Sequence, residues 1–254
     1  MLPIKEIEKF VKKETKNVSS VVHDFGHAKR TAIWTKWFVK ILGGTKEDEK
    51  LAYIAGLLHD IVRPPSNICH AAASAEKSRK ILKKFKLSDI GIEKIVSAIA
   101  THRDMSRCET ILQKALIYAD KIPEQMGAFI VFRRCMFIGE CIEYENREFH
   151  DVIISHFEEK LTKYSPKDFP KRFSKFLKYQ YELPKKFWLA FQNNEDWSVE
   201  IARYFYDCGK SGVKFEKAIK RFKPKYKQSK LYKKEALNYI NGKLTKKFQE
   251  MIAW

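Results

Sequence analysis

The chain predicts an all-α protein, and three observations carry that prediction. Apolar residues recur at threes and fours along most of the 254 residues. Alternating strand patterns are scarce, and ten Gly and eight Pro are few for this length. Helix starts and stops are also legible: Thr45 with Asp48 and Ser88 open segments, while Gly43-Gly44 and Pro64-Pro65 close them. A hydrophobic share of 44% excludes a disordered chain.

Taken in order, residues 4–16 read as a first helix with Ile4, Ile7, Phe10 and Val11 on one side. Ser19-Ser20 offers a cap for a second, running from about residue 23 to Leu42. If it starts there, His23 and His27 lie one turn apart on one face. The third turns Leu51, Ala52, Ile54, Ala55 and Leu58 inward and delivers His59-Asp60 at its far end. His70 sits in a short loop before a helix of roughly residues 71–85. Ser88 caps the next, which ends at Thr101-His102-Arg103. Thr110 to Asp120 is an apolar helix ending in a carboxylate, and residues 124–160 read as one or two more helices. Beyond Ser165-Pro166, prolines punctuate short amphipathic pieces in which aromatics interleave with lysines. A soft boundary near 160 separates a first domain, 1–160, from a basic, mainly helical extension, 161–254.

The formal net charge is +19, unevenly spread. Residues 1–160 carry 27 Lys/Arg against 22 Asp/Glu, a net +5, and residues 161–254 carry 23 against 9, a net +14. A surface of that kind concentrates anions such as nucleotides, nucleic acid or acidic lipid. Five scattered Cys without a C-x-x-C pair read as reduced thiols of a cytoplasmic protein, and Cys69 reads as a packed thiol. The charged N-terminus has no apolar signal core, and no stretch reaches the ~20 apolar residues of a membrane span.

Six residues stand near the ends of successive helical segments: His27, His59, Asp60, His70, His102 and Asp120. Singly, each has an ordinary explanation as a cap or core group. Together, on an otherwise apolar bundle, they suit a metal centre built from inward-facing side chains.

The series His27, His59-Asp60, Asp120 resembles the HD superfamily of metal-dependent phosphohydrolases. The flanking residues are similar too: His23-Asp-x-x-His27-x-x-Arg30, Gly56-Leu-Leu-His-Asp-Ile61 and Ala119-Asp120. His70 with Ser74-Ala75, and His102-Arg103, resemble members that hold two metals. The resemblance covers roughly residues 18–145 and does not extend to 161–254. It implies an HD-domain helical bundle with a first ion on His27, His59, Asp60 and Asp120. A second ion would fall to His70 and His102, with Asp60 bridging. Mixed nitrogen and oxygen ligation suits Mn, Fe, Co, Ni or Zn.

The expected activity is hydrolysis of a phosphate ester of a nucleotide or related small molecule, with Asp60 orienting and deprotonating the attacking water. Arg63 is the first candidate for the phosphate, as a guanidinium fork matches it. His23, Arg103 and Lys121 are further candidates for the substrate side. Three alternatives share the ligand set: a nuclease holding single strands on the aromatic and lysine-rich C-terminal third, a di-iron oxygenase, and a metal-bearing nucleic-acid-binding module.

Overall fold

The computed structural model describes residues 2–64, 66, 69–125, 127–163 and 169–253. Among them there are thirteen α-helices, a few single turns of 3-10 helix and no strand. Pro65 and the Ser165-Pro166 step lie outside the described residues. The chain divides into two compact units, Met1–Glu124 and Gln125–Trp254. The division falls earlier than the soft boundary near 160, because the next helix, Gly127–Glu140, finds its neighbours in the second unit. No helix among the described residues is long and apolar enough to cross a membrane.

In the first unit, α1 (Ile4–Glu14) buries Ile7 and Val11 and gives way to a 3-10 turn at Thr15. Helix α2 (Phe25–Ile41) starts later than expected, because the carboxylate of Asp24 caps it by accepting the His27 N–H at 3.1 Å. Ser20 does not cap; its hydroxyl bonds His23 Nδ1 at 2.7 Å, outside the helix. Helix α3 (Lys46–Leu58) opens on a capping box in which Thr45 and Asp48 satisfy each other's backbone N–H. Helix α4 (Ala71–Lys84) follows His70, α5 (Asp89–Thr101) is capped by Ser88, and α6 (Ile111–Lys121) opens on a Thr110/Gln113 box.

Helix α2 packs on α3 and α6, and α5 on α3, α4 and α6. Gly56 makes the first of these contacts possible. A Cβ there would stand 2.5 Å from Ala32 Cα and 2.7 Å from Ala32 N, so only hydrogen lets the two backbones meet. This contact sets the entry of α2 beside the exit of α3.

The second unit holds α7 (Gly127–Glu140), α8 (Phe149–Lys163), α9 (Ser174–Gln192), α10 (Asp196–Lys210), α11 (Phe215–Arg221), α12 (Lys227–Ile240) and α13 (Thr245–Ala253). Its C-terminal part is less broken than expected: Pro184 lies inside the 19-residue α9. Helix α7 is apolar nearly all round and packs on α9, α10 and α12. Gly139 of α7 and Gly209 of α10 admit each other's helix; a Cβ on either would fall 2.1 Å from a carbonyl oxygen of the other, Tyr206 or Met136. Aromatic rings fill this core, with Phe132 stacked on Phe205 at 4.3 Å between centroids. Of the aromatics that interleave with lysines and would stack bases in the nuclease alternative, Phe169, Phe173, Phe176, Phe187, Phe191 and Trp197 are buried, whereas Tyr179, Tyr181 and Trp188 are half-buried.

Candidate metal centre

Local rules place each of the six side chains. The Asp24 cap puts His27 in the first turn of α2. His59 follows the last residue of α3, and Asp60 follows it into a turn. Ser74 of α4 pins that turn, accepting from Val62 N at 3.2 Å and donating to Val62 O at 3.1 Å. His70 precedes α4, His102 follows α5, and Asp120 lies in the last turn of α6. All six are buried.

The structure brings the six together. His27 Nε2 lies 3.2 Å from His59 Nε2, 3.5 Å from Asp60 Oδ2 and 3.6 Å from Asp120 Oδ1. His59 Nε2 lies 3.4 Å from the same oxygen of Asp60 and 3.9 Å from Asp120 Oδ1. The other oxygen of Asp60 faces elsewhere: Oδ1 is 2.6 Å from His70 Nε2 and 3.6 Å from His102 Nε2. Three groups have metal-ligand spacing: His27, His59 and Asp120; Asp60, His70 and His102; and His23, His27 and Asp60.

The outward nitrogens decide what the inward ones present. His59 Nδ1 donates to the Gly56 carbonyl at 2.8 Å, and His102 Nδ1 to the Ile99 carbonyl at 2.6 Å. His27 Nδ1 donates to Glu124 Oε2 at 2.8 Å. A carbonyl or carboxylate oxygen only accepts, so each of the three rings carries a proton on its outer Nδ1, and the Nδ1–H tautomer of each turns an Nε2 lone pair inward. Lone pairs of His27 and His59 thus face each other and two carboxylate oxygens. That donor set fits a divalent cation, whose charge turns mutual repulsion into ligation. Asp60 Oδ1 and His70 Nε2 fit the same account: both are buried and close, yet neither makes an aligned hydrogen bond. His70 differs at its outer nitrogen, which faces Nη1 of Arg63 rather than a carbonyl or carboxylate.

Burial sets the charge states. It pulls His59 down to about 4 and also lowers His70, so both rings are neutral at pH 7 and ready to ligate. Burial alone would raise Asp60, but His59, His70 and the nearby His102 and His27 outweigh it and hold the carboxyl well below its ordinary value. For Asp120 the same penalty is outweighed first by Lys121, then by His59 and His27.

The proposed substrate-side groups are less uniform. Arg63 is half-buried, its Nε 3.3 Å from His23 Nε2, and His23 Nε2 is 3.9 Å from Asp60 Oδ2. Lys121 donates to Asp120 Oδ2 at 2.5 Å, so its ammonium is paired with a carboxylate of the cluster. Arg103 is exposed. Cys69 is exposed as well, not packed, and belongs to none of the three groups.

Sequence reasoning missed Glu124. It is fully buried, accepts from His27 with one oxygen and from Arg30 Nε with the other at 2.9 Å. The partners are 97 and 94 positions away, so no local pattern marks them.

Neither a curated protein nor a solved structure matches the chain. A family model does: residues 24–123 match the one described as HD domain, from the cap of α2 to just past Asp120. The first unit, with its buried His and Asp groups at metal-ligand spacing, carries an HD domain.

Proposed function

We propose that the first unit is a metal-dependent phosphohydrolase that cleaves a phosphate ester of a nucleotide or related small molecule. One observation carries the reading: the two oxygens of Asp60 face different sets of imidazole nitrogens, Oδ2 toward His27 and His59, Oδ1 toward His70 and His102. A carboxylate placed between two such sets would suit a dinuclear hydrolytic centre.

In this reading His27, His59, Asp60 and Asp120 would hold the first ion, and Asp60, His70 and His102 would hold the second. Manganese, iron, cobalt, nickel or zinc suits the donors. When bound, such ions supply hydroxide at neutral pH and neutralise phosphoryl oxygens. Asp60 orients the attacking water and takes its proton. Lys121 fixes Asp120 and adds positive charge beside it. Arg63, next to His23 and His70, offers its fork to the phosphate as charge develops there. Arg103 stays on the substrate side of the proposal through its place after His102.

The test is metal-stripped protein reconstituted with each of these ions and assayed on nucleotides and generic phosphodiesters. Turnover that Asp60→Ala abolishes supports the reading. No turnover with any metal, or oxygen consumption with iron only, overturns it.

A second reading keeps the reaction and makes the substrate nucleic acid. It is favoured by the cationic face of α12, where Lys227, Lys230 and Lys234 are exposed at helical spacing. Tyr226 is exposed just before Lys227 while Tyr232 and Tyr239 are buried, so such a face offers phosphate contacts with a single ring beside them.

A further inference from the structure

The residue that the HD match does not reach is the one that holds His27. Glu124 lies one position past the matched stretch, at the end of the first unit. It has no exposed surface. An unpaired carboxylate there would be costly, and Arg30 removes that cost with two contacts, Nε to Oε1 at 2.9 Å and Nη2 to Oε2 at 3.3 Å. Oε2 also accepts the His27 Nδ1 proton at 2.8 Å.

We propose that Glu124, itself held by Arg30, is the positioning residue that fixes His27 as its Nδ1–H tautomer and so delivers Nε2 to the metal. The inference rests on the metal-centre reading above and goes beyond it. His59 and His102 have backbone carbonyls in this role, which no side-chain substitution removes. His27 alone of the three depends on a side chain, and that side chain depends on a second.

The chemistry makes one substitution diagnostic. In Glu124→Gln the amide has one accepting and one donating end. Arg30 offers donors only, so it claims the oxygen, and the NH2 end turns to His27. His27 must then accept at Nδ1 and carry its proton on Nε2, where it cannot ligate. Replacing Arg30 by Met in the same protein releases the amide, whose oxygen turns back to His27.

The tautomer is read in metal-stripped protein by long-range nitrogen–proton NMR of labelled histidine. Affinity is read with zinc alone, by competition with a chromophoric chelator. The native protein is expected to show Nδ1–H at His27. Glu124→Gln is expected to show Nε2–H and to lose about 10- to 100-fold in zinc affinity. Glu124→Gln with Arg30→Met is expected to move both readings back toward native. A purely structural role would lower thermal stability, further still in the double variant, and leave the tautomer unchanged. The proposal is overturned if native His27 carries Nε2–H, a readout that stands even if the variant fails to fold. It is overturned equally if Glu124→Gln keeps Nδ1–H with zinc affinity within about twofold of native. Neither readout uses a substrate, so an inactive protein would sink the hydrolase reading and leave this one standing.

Discussion

His59 shows how one residue couples burial to function. Its folded-state value near 4 lies below its ordinary 6.5, so between those values the unfolded chain takes the proton first and acid favours unfolding. Its stabilising contribution is therefore complete above about pH 6.5 and is lost as pH falls toward 4. Asp60 and Asp120, both held below 3.8, act in the same direction at still lower pH. Metal-stripped protein should lose stability steadily from pH 7 to 4 in thermal melts. His59→Gln should flatten that slope by up to one proton, ~1.4 kcal/mol per pH unit; an unchanged slope would mean that His59 protonates freely in the fold. The ligand groups make a second prediction at this scale. His102→Ala should bind one equivalent of metal fewer by elemental analysis than native protein, while Asp60→Ala should compromise both sites. These residues were legible because each stands at a helix end, where a lone polar group after an apolar run is conspicuous. Glu124 was not, since its meaning lies in a hydrogen bond to a residue 97 positions away.

At the scale of the element, caps and close approaches do the placing. Asp24, Thr45, Ser88 and Thr110 are local signals, and three of the four were read as helix starts or segment openings from sequence. The start of α2 was misplaced because Asp24 competes with Ser20 for that task and stands nearer the helix. Gly56 is the element-scale weak point. Gly56→Ala puts a methyl against Ala32 backbone atoms that cannot rotate away, so it should cost about 1–3 kcal/mol by denaturant melts. Because His59 bonds the Gly56 carbonyl, the same substitution should weaken metal binding as well. A variant with native stability and affinity would show that α2 and α3 can part without consequence.

For the whole molecule, the HD stretch was readable from its residues, but the division into units was not. No Pro, Gly or Ser run marks Glu124/Gln125; an apolar helix follows almost at once, and its partners come from much later in the chain. The charge asymmetry was readable, and its meaning changed because most of the aromatics among those lysines are buried. Binding of nucleic acid to the intact protein should fall steeply with salt and show little preference for base identity. Reversing Lys227, Lys230 and Lys234 to Glu should reduce the logarithmic salt slope by roughly 0.9 for each phosphate that is no longer neutralised. Weak salt dependence, or strong base preference, would argue that the lysines only keep the protein in solution.

The hydrogen that Gly56 carries in place of a methyl has a dynamic corollary. Where two backbones touch without intervening side chains, sliding one helix along the other drives a side chain into the space that only the glycine leaves open. Amide deuterium uptake should therefore be slowest around residues 28–35 and 52–58, and the spacing of the His27 and His59 nitrogens should hold steady with and without added metal.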